Sequence, residues 1–267
     1  MRSFKFFVRR NLINTYSNIW GSLGDLLSIV LNLIFFWYTS KAFGFSFKVG
    51  LSDYRVDYFN YVVLGEMVLL IPAAILNGLT STVQSAAADG TLEVFFLLPR
   101  RAQTTFIISA LAIVPKEVVR IILTLIIATL AFGFKFSYSG LGGAVFLQII
   151  SLPIFLGMGL FAASLLVFFG RGKSVISHGG NILYIFAGIY FPLSVLPKSI
   201  QNIAKVFSPF TILLESTRTL FSNGFHNMAV TSAQIIFWDL LLFFLGFWLL
   251  GLSFRRMINK GTPLIVN

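Results

Sequence analysis

Three acidic residues fall inside or beside long apolar runs: Asp25, Glu66 and Asp239. An ionisable group in hydrocarbon is costly and is a functional candidate by default. Acting together, the three would form a proton relay and make the chain a proton-coupled secondary exporter. The alternative is structural: each acid lies near a helix end, or pairs with a base or with backbone of a neighbouring helix. Glu215 and Arg218 stand three residues apart, the spacing of a pair across one helical turn. Their two readings are a stabilising pair and a contact to a substrate headgroup. The run GRGKS at 170–174 suggests a phosphate-binding loop. A Walker A loop needs an earlier glycine where this chain has Val167, so the run reads as a basic turn. His178 and His226 have no Asp or Glu at metal-ligand spacing. Ser177 and His178 are adjacent and face different ways on a helix, so they make no nucleophile–base pair. Catalysis, a metal site and a cofactor bound by this chain are therefore not predicted.

The elements that must position these groups are apolar. Of 267 residues, 57% are hydrophobic and 11% charged, with a mean hydropathy of +0.88. Soluble domains carry about 25% charged residues. So few charges cannot cover a water-facing surface. Residues 136–170 hold no Asp, Glu, Lys or Arg, and 31 Phe suit a lipid-facing surface. The net charge of +11 would suggest nucleic acid in a soluble protein. Here no basic stripe interleaves with exposed aromatics, and basic residues flanking spans face lipid headgroups and cytoplasm. Nucleic-acid binding is not predicted. Cysteine is absent, which excludes disulfides and thiolate chemistry.

Residues 1–18 read as an amphipathic helix in the membrane interface. Phe4, Phe7, Val8, Asn11 and Leu12 share one side, with Lys5, Arg9 and Arg10 away from it. A polar stretch from Asn11 to Asn18 stands where a cleavable signal would have its apolar core. Six spans follow, over 20–43, 59–84, 106–134, 141–169, 174–191 and 231–253. Lys116, Glu117 and Arg120 interrupt the third, so 103–120 reads as a lead-in with the crossing after Arg120. Basic clusters set the orientation. Arg2, Lys5, Arg9 and Arg10, then Arg100 with Arg101, Arg171 with Lys173, and Arg255 with Arg256 fall on one side. Lys41, Lys48, Arg55, Lys135, Lys198, Lys205 and Arg218 are scattered on the other. Both termini are then cytoplasmic.

Two connecting segments are more organised than plain loops. In the cytoplasmic one, 85–101, Asp89-Gly90 ends the second span's helix. Leu92, Phe95 and Phe96 then recur at helical spacing, and Pro99 stops the run. A short half-apolar helix there has the shape of a docking element. In the outer one, 192–224, Pro197 opens a stretch whose Ile200, Ile203, Ala204 and Phe207 share a face. Ser208-Pro209 reads as an N-cap followed by proline, and Ile212, Leu213 and Leu220 form the next apolar face. Both pieces are too short to cross, so a re-entrant helix pair buried against protein is predicted.

The segment GTLEVFFLLPRR (90–101) and the outer segment IYFPLSVLPKSIQNIAKVFSPFTILLESTRTLF (189–221) resemble, in order and spacing, two signatures of type 2 ABC exporter permeases. The resemblance implies an all-α polytopic permease in the bacterial cytoplasmic (inner) membrane, a single transmembrane domain over 1–267. It implies a homodimer with a second copy of the chain, surrounded by membrane lipid. It also implies a separate ATPase subunit in two copies, which would hold ATP and Mg. Relatives export amphipathic, lipid-linked or glycan-like molecules. Asp89, Gly90, Thr91, Leu92, Glu93, Phe95 and Phe96 would couple to the ATPase. Trp37, Tyr38, Tyr184, Tyr190 and Phe191 would line a path formed by the first, second and fifth spans, or belong to an interfacial aromatic belt.

Overall fold

The computed structural model describes residues 2–16, 19–51, 56–91, 102–135, 138–169, 187–223 and 228–260, and every regular element among them is helical. Helix α1 is Arg2–Tyr16, α2 Ile19–Leu51 and α3 Tyr58–Ala88. Next come α4 Ala102–Leu111, α5 Val114–Phe132, α6 Tyr138–Ile150 and α7 Leu152–Phe169. A 3-10 turn at Leu193–Val195 precedes α8 Lys198–Phe207, α9 Pro209–Asn223 and α10 Met228–Lys260.

Four stretches are long and apolar enough to cross a bilayer: Trp20–Phe43, Tyr58–Ala86, Gly140–Phe168 and Ser232–Met257. They match the predicted first, second, fourth and sixth spans. Helix α3 is the axis of the fold. Its Tyr61, Val62, Val63, Leu69, Ile75 and Leu79 are almost inaccessible, and α2, α5, α7 and α9 pack around it. By contrast α2 and α10 turn Leu31, Phe35, Phe244 and Trp248 outward. Such a surface is stable where the solvent is itself hydrocarbon.

Pro72 sits inside α3 and removes the ladder bond to the Val68 carbonyl. The Gln148 amide of α6 donates to that carbonyl instead. In hydrocarbon an unsatisfied carbonyl costs several kcal/mol, so this cross-helix bond makes the proline tolerable. Close approach joins α7 to α10. A Cβ at Gly157 would meet the backbone of Leu242 and Phe243, and one at Gly246 would meet the Gly157 carbonyl. Gly159 likewise packs under Leu79 of α3. These small residues serve helix packing, as their spacing suggests. Lower on the same seam, the Ser253 hydroxyl donates to the Ser164 carbonyl at 3.2 Å.

The predicted third and fourth spans both divide differently. The break in the third falls at Ala112–Ile113, not at Arg120, so Lys116, Glu117 and Arg120 all belong to α5. Pro115 at the start of α5 sets it, because proline suits a first helical turn and cannot continue a helix from before. Ile113 at this break sits over Gly78 of α3, and the Asn11 amide of α1 donates to the Ala112 carbonyl at 3.3 Å. The fourth is two helices joined at Ser151, since Pro153 removes one ladder bond and crowds the preceding turn. The predicted fifth span, 174–191, lies outside the described residues up to 186.

Between α8 and α9 the Ser208 cap forms as predicted. Its hydroxyl accepts from Thr211 N–H at 3.3 Å, and its carbonyl accepts from Ile212 N–H at 3.0 Å. Ile212, Leu213 and Leu220 are buried, with Phe210 and Leu214. Among the described residues the face predicted for α8 is only partly covered: Ala204 is buried and Phe207 meets the Trp238 ring of α10 edge-on, but Ile203 is 61% and Phe207 65% exposed. Helix α8 packs mainly on α9 and the 3-10 turn.

Candidate functional site

Two arginines mark the polar interior, and their surroundings differ. Arg218, on α9, is 3% exposed. Its Nη1 donates to the Tyr61 hydroxyl and the Gly188 carbonyl, both at 2.7 Å. Its Nη2 donates to the carbonyls of Ile189 at 3.2 Å and Tyr61 at 3.3 Å. The guanidinium also lies 3.5 Å from the centre of the Tyr61 ring. The predicted Glu215 pair is present at 3.4 Å and is one contact among these. Glycines admit the guanidinium. A Cβ at Gly65 would come within 2.9 Å of Nη2, and Gly188 has φ +83°, a conformation that favours glycine. Arg218 thus ties α9, α3 and the 188–189 turn into one unit.

Arg120, on α5, lines a small open cleft between α2, α3 and α5. Apolar walls come from Ile29, Leu33, Phe36, Val63, Met67 and Leu70. Polar groups converge from three helices: Asn32 of α2, Glu66 of α3, and Arg120 and Thr124 of α5. Tyr190 stands beside Glu66, and its ring stacks on Phe36 at 5.9 Å. Arg120 acts on Glu66 through space without closing an ion pair. Among the described residues, its guanidinium makes no hydrogen bond. Glu117, buried one turn earlier, also feels Arg120.

The three candidate acids have separate partners. Asp25 pairs with Lys116 at 3.2 Å. Asp239 accepts from Ile154 N–H at 2.7 Å, which caps the start of α7 from α10. Glu66 has Tyr190 and the cleft. The structural reading thus describes Asp25 and Asp239, and Asp25 has a lysine partner that the sequence reading did not identify.

The predicted coupling segment is described only at its start. Asp89, Gly90 and Thr91 are exposed, and Gly90 has φ +64° where α3 ends. Leu92, Glu93, Phe95 and Phe96 lie outside the described residues, as do Tyr184, GRGKS and both histidines. The aromatic candidates are not gathered around one path. Trp37 is half-buried against Tyr38 and Phe132, with Lys41 5.4 Å from its ring, while Tyr38 is exposed. Tyr190 belongs to the Phe36–Glu66 group, and Phe191 is half-buried.

Sequence reasoning did not single out Tyr61, Gly65, Asn32, Thr124 or Gln148, and it assigned Arg120 to a lead-in. Tyr61, Gly65 and Glu66 share successive turns of one span, a polar and small cluster in an otherwise apolar run, and that signal was available. The sequence profile of the ABC-2 type transporter family matches residues 2–222. No curated protein matches the chain.

Proposed function

Because the chain belongs to the ABC-2 type transporter family, we propose that it is the permease subunit of an ATP-driven exporter. It would move an amphipathic, lipid-linked or glycan-like molecule outward across a bacterial cytoplasmic membrane. The observation that carries this reading is the family match, which runs from α1 through the outer pair to α9. The helical fold with its four apolar crossing stretches supports it. Two copies of the chain would pair, each docking one separate ATPase subunit that holds ATP and Mg. With both termini cytoplasmic and six crossings, α8 and α9 would form a re-entrant pair on the outer face.

Coupling would enter at 89–98, directly after α3. That helix is the buried axis of the fold, so a push at its cytoplasmic end reaches the cleft and the Arg218 cluster along one rigid element. Leu92, Phe95 and Phe96 would supply the apolar contact, since exposing such side chains to water costs about 25 cal/mol per Å². Glu93 would add a charged contact to the partner, or a brace to Arg100 or Arg101.

The test is co-purification with the cognate ATPase together with permease-stimulated ATP hydrolysis. Phe95→Ala and Phe96→Ala are expected to weaken both, since truncating a large interface aromatic commonly costs about 2 kcal/mol or more. Membrane insertion should be unchanged. Wild-type association and hydrolysis in both variants would overturn the coupling assignment.

A further inference from the structure

Helices α8 and α9 differ in what covers them. Helix α9 buries Phe210, Ile212, Leu213, Leu214 and Leu220 in the protein. Helix α8 buries Ala204, while Ile203, Val206 and Phe207 are exposed among the described residues. These three recur at i, i+3 and i+4, so they share one sector of the helix. Lys198, Asn202 and Lys205 recur at i, i+4 and i+7 on another sector, and they too are exposed. From Tyr190 to Leu214 the chain carries these two lysines and no Asp or Glu. An exposed apolar sector beside a basic one is the pattern of a helix lying in a membrane interface, apolar side toward the acyl chains.

Helix α10 supplies the depth. The Phe207 ring meets Trp238 edge-on at 6.1 Å, and Trp238 meets Phe237 at 5.8 Å. Phe237 belongs to the outward surface of α10, with Leu240, Leu241 and Phe244. The apolar sector of α8 is thus continuous with a surface suited to hydrocarbon. Trp238 lies six residues inside the crossing stretch Ser232–Met257, roughly 9 Å along the helix. An interfacial helix buries its apolar face about 5–10 Å into the boundary of headgroups and acyl chains. Phe207 stands at that depth, and lysine stems can reach from there to the phosphates. A second copy of α8 packed on this helix would bring lysines toward lysines, with no acid on the segment to pair them.

We infer that α8 binds anionic phospholipid of the outer leaflet, with Ile203, Val206 and Phe207 among acyl chains and Lys198 and Lys205 on the phosphates. The inference rests on the permease reading for the side of the membrane, and it goes beyond that reading by assigning a resident lipid that the chain holds rather than exports.

The test uses the full chain in phosphatidylcholine nanodiscs, without ATP or an ATPase partner. The chain has no cysteine, so a single introduced one carries a bimane fluorophore. It is placed at the apolar sector as Val206→Cys or at the polar sector as Asn202→Cys. Quenchers are aqueous acrylamide and a minor fraction of nitroxide-labelled lipid, the nitroxide near the top of the acyl chain or near its end. At Val206→Cys the shallow nitroxide should quench more than the deep one, and acrylamide little. At Asn202→Cys acrylamide should quench strongly. Shallow-labelled phosphatidylglycerol should quench Val206→Cys at least about threefold more effectively than shallow-labelled phosphatidylcholine, because two lysines enrich the anionic lipid. That ratio should shrink in high salt. It should fall to about one when Lys198→Gln and Lys205→Gln are added. Quenching by phosphatidylcholine should persist in that variant, which a damaged fold would not allow. Equal quenching by the two lipids in the lysine-bearing chain overturns the inference, as does strong acrylamide quenching at Val206→Cys. So does a probe that neither quencher reaches, or one that crosslinks two copies, because protein then covers the face. No arm involves ATP or export, so failure here leaves the permease assignment standing.

Discussion

Arg218 and Arg120 carry the same side chain within the same helical layer, yet they do opposite things. Arg218 is enclosed, with four directed hydrogen bonds to Tyr61, Gly188 and Ile189 and a ring beneath it. Arg120 looks into a cleft, balanced through space but bonded to no described residue. A guanidinium whose two Nη groups are engaged by its own chain is a fastener. One whose donors face a cavity is available to a ligand. The difference is one of partners: carbonyls freed by the turn at 188–189 stand next to Arg218, whereas intact α-helical ladders surround Arg120 and consume their own carbonyls.

The largest effect should come from removing the fastener. Arg218→Ala would leave the Ile189 carbonyl buried without its donor, at about 1–3 kcal/mol, would leave Gly188 only its bond from Tyr61, and would open a cavity beside Gly65. A loss of about 4 kcal/mol is expected, read as a large drop in the thermal unfolding midpoint in detergent. Arg218→Lys should rescue little, because an ammonium cannot reproduce the planar fork that reaches Tyr61, Gly188 and Ile189 together. Full rescue by lysine would reduce Arg218 to a point charge and erase the contrast.

A smaller effect should follow from Tyr61→Phe. The ring stays under the guanidinium, while the hydroxyl loses its bond from Arg218 and its own donation to the Gly188 carbonyl at 2.9 Å. About 2 kcal/mol is expected, since a hydrogen bond to a charged group contributes more than a neutral one. An unchanged midpoint would mean that the carbonyls alone hold Arg218.

How much of this was legible in the sequence depends on the range of the interaction. The four apolar crossing stretches, the Ser208 cap, the Asp89-Gly90 stop and the Glu215–Arg218 pair are local, and composition or spacing within one helix reveals them. Arg218's other partners are distant in the chain: Tyr61 lies on α3, and Gly188 and Ile189 precede α8 and α9. No periodicity links them. Gln148 and the Val68 carbonyl illustrate the same limit, because Pro72 announces a freed carbonyl but not which helix supplies the donor. The Ala112–Ile113 break was misplaced for a different reason. The three charges of α5 drew the boundary to Arg120, whereas Pro115 decides it and the charges find partners on neighbouring helices or in the cleft.

Asp239 sharpens the comparison from the acidic side, with an effect smaller again. Like Arg218 it is engaged by its own chain, here by the Ile154 N–H left orphaned where α7 begins. Asp239→Asn keeps an oxygen acceptor, so its stability should change little. Asp239→Ala removes the cap and should cost about 1 kcal/mol. Export should persist in Asp239→Asn. If export is lost while the unfolding midpoint holds, the carboxylate acts through its proton, and the relay reading regains its ground.

The smallest stability change is expected at Arg120, and its smallness is what the contrast requires. Removing Arg218 strands acceptors, but removing Arg120 strands none, because no described acceptor depends on it. What is lost is its through-space balance of Glu66 and Glu117. The cleft is open, so that balance is partly screened, and Tyr190 still stands beside Glu66. Arg120→Gln keeps most of the side chain's length and its capacity to donate. Its unfolding midpoint should correspond to a change within about 0.5–1 kcal/mol of the parent, as for substitutions that leave no buried group unsatisfied. If the cleft serves transport, export by the reconstituted complex should nevertheless fall, because the cleft's one guanidinium is gone. A drop in the midpoint as deep as that of Arg218→Ala would show Arg120 to be a second fastener, and the cleft would then be a packing defect around it.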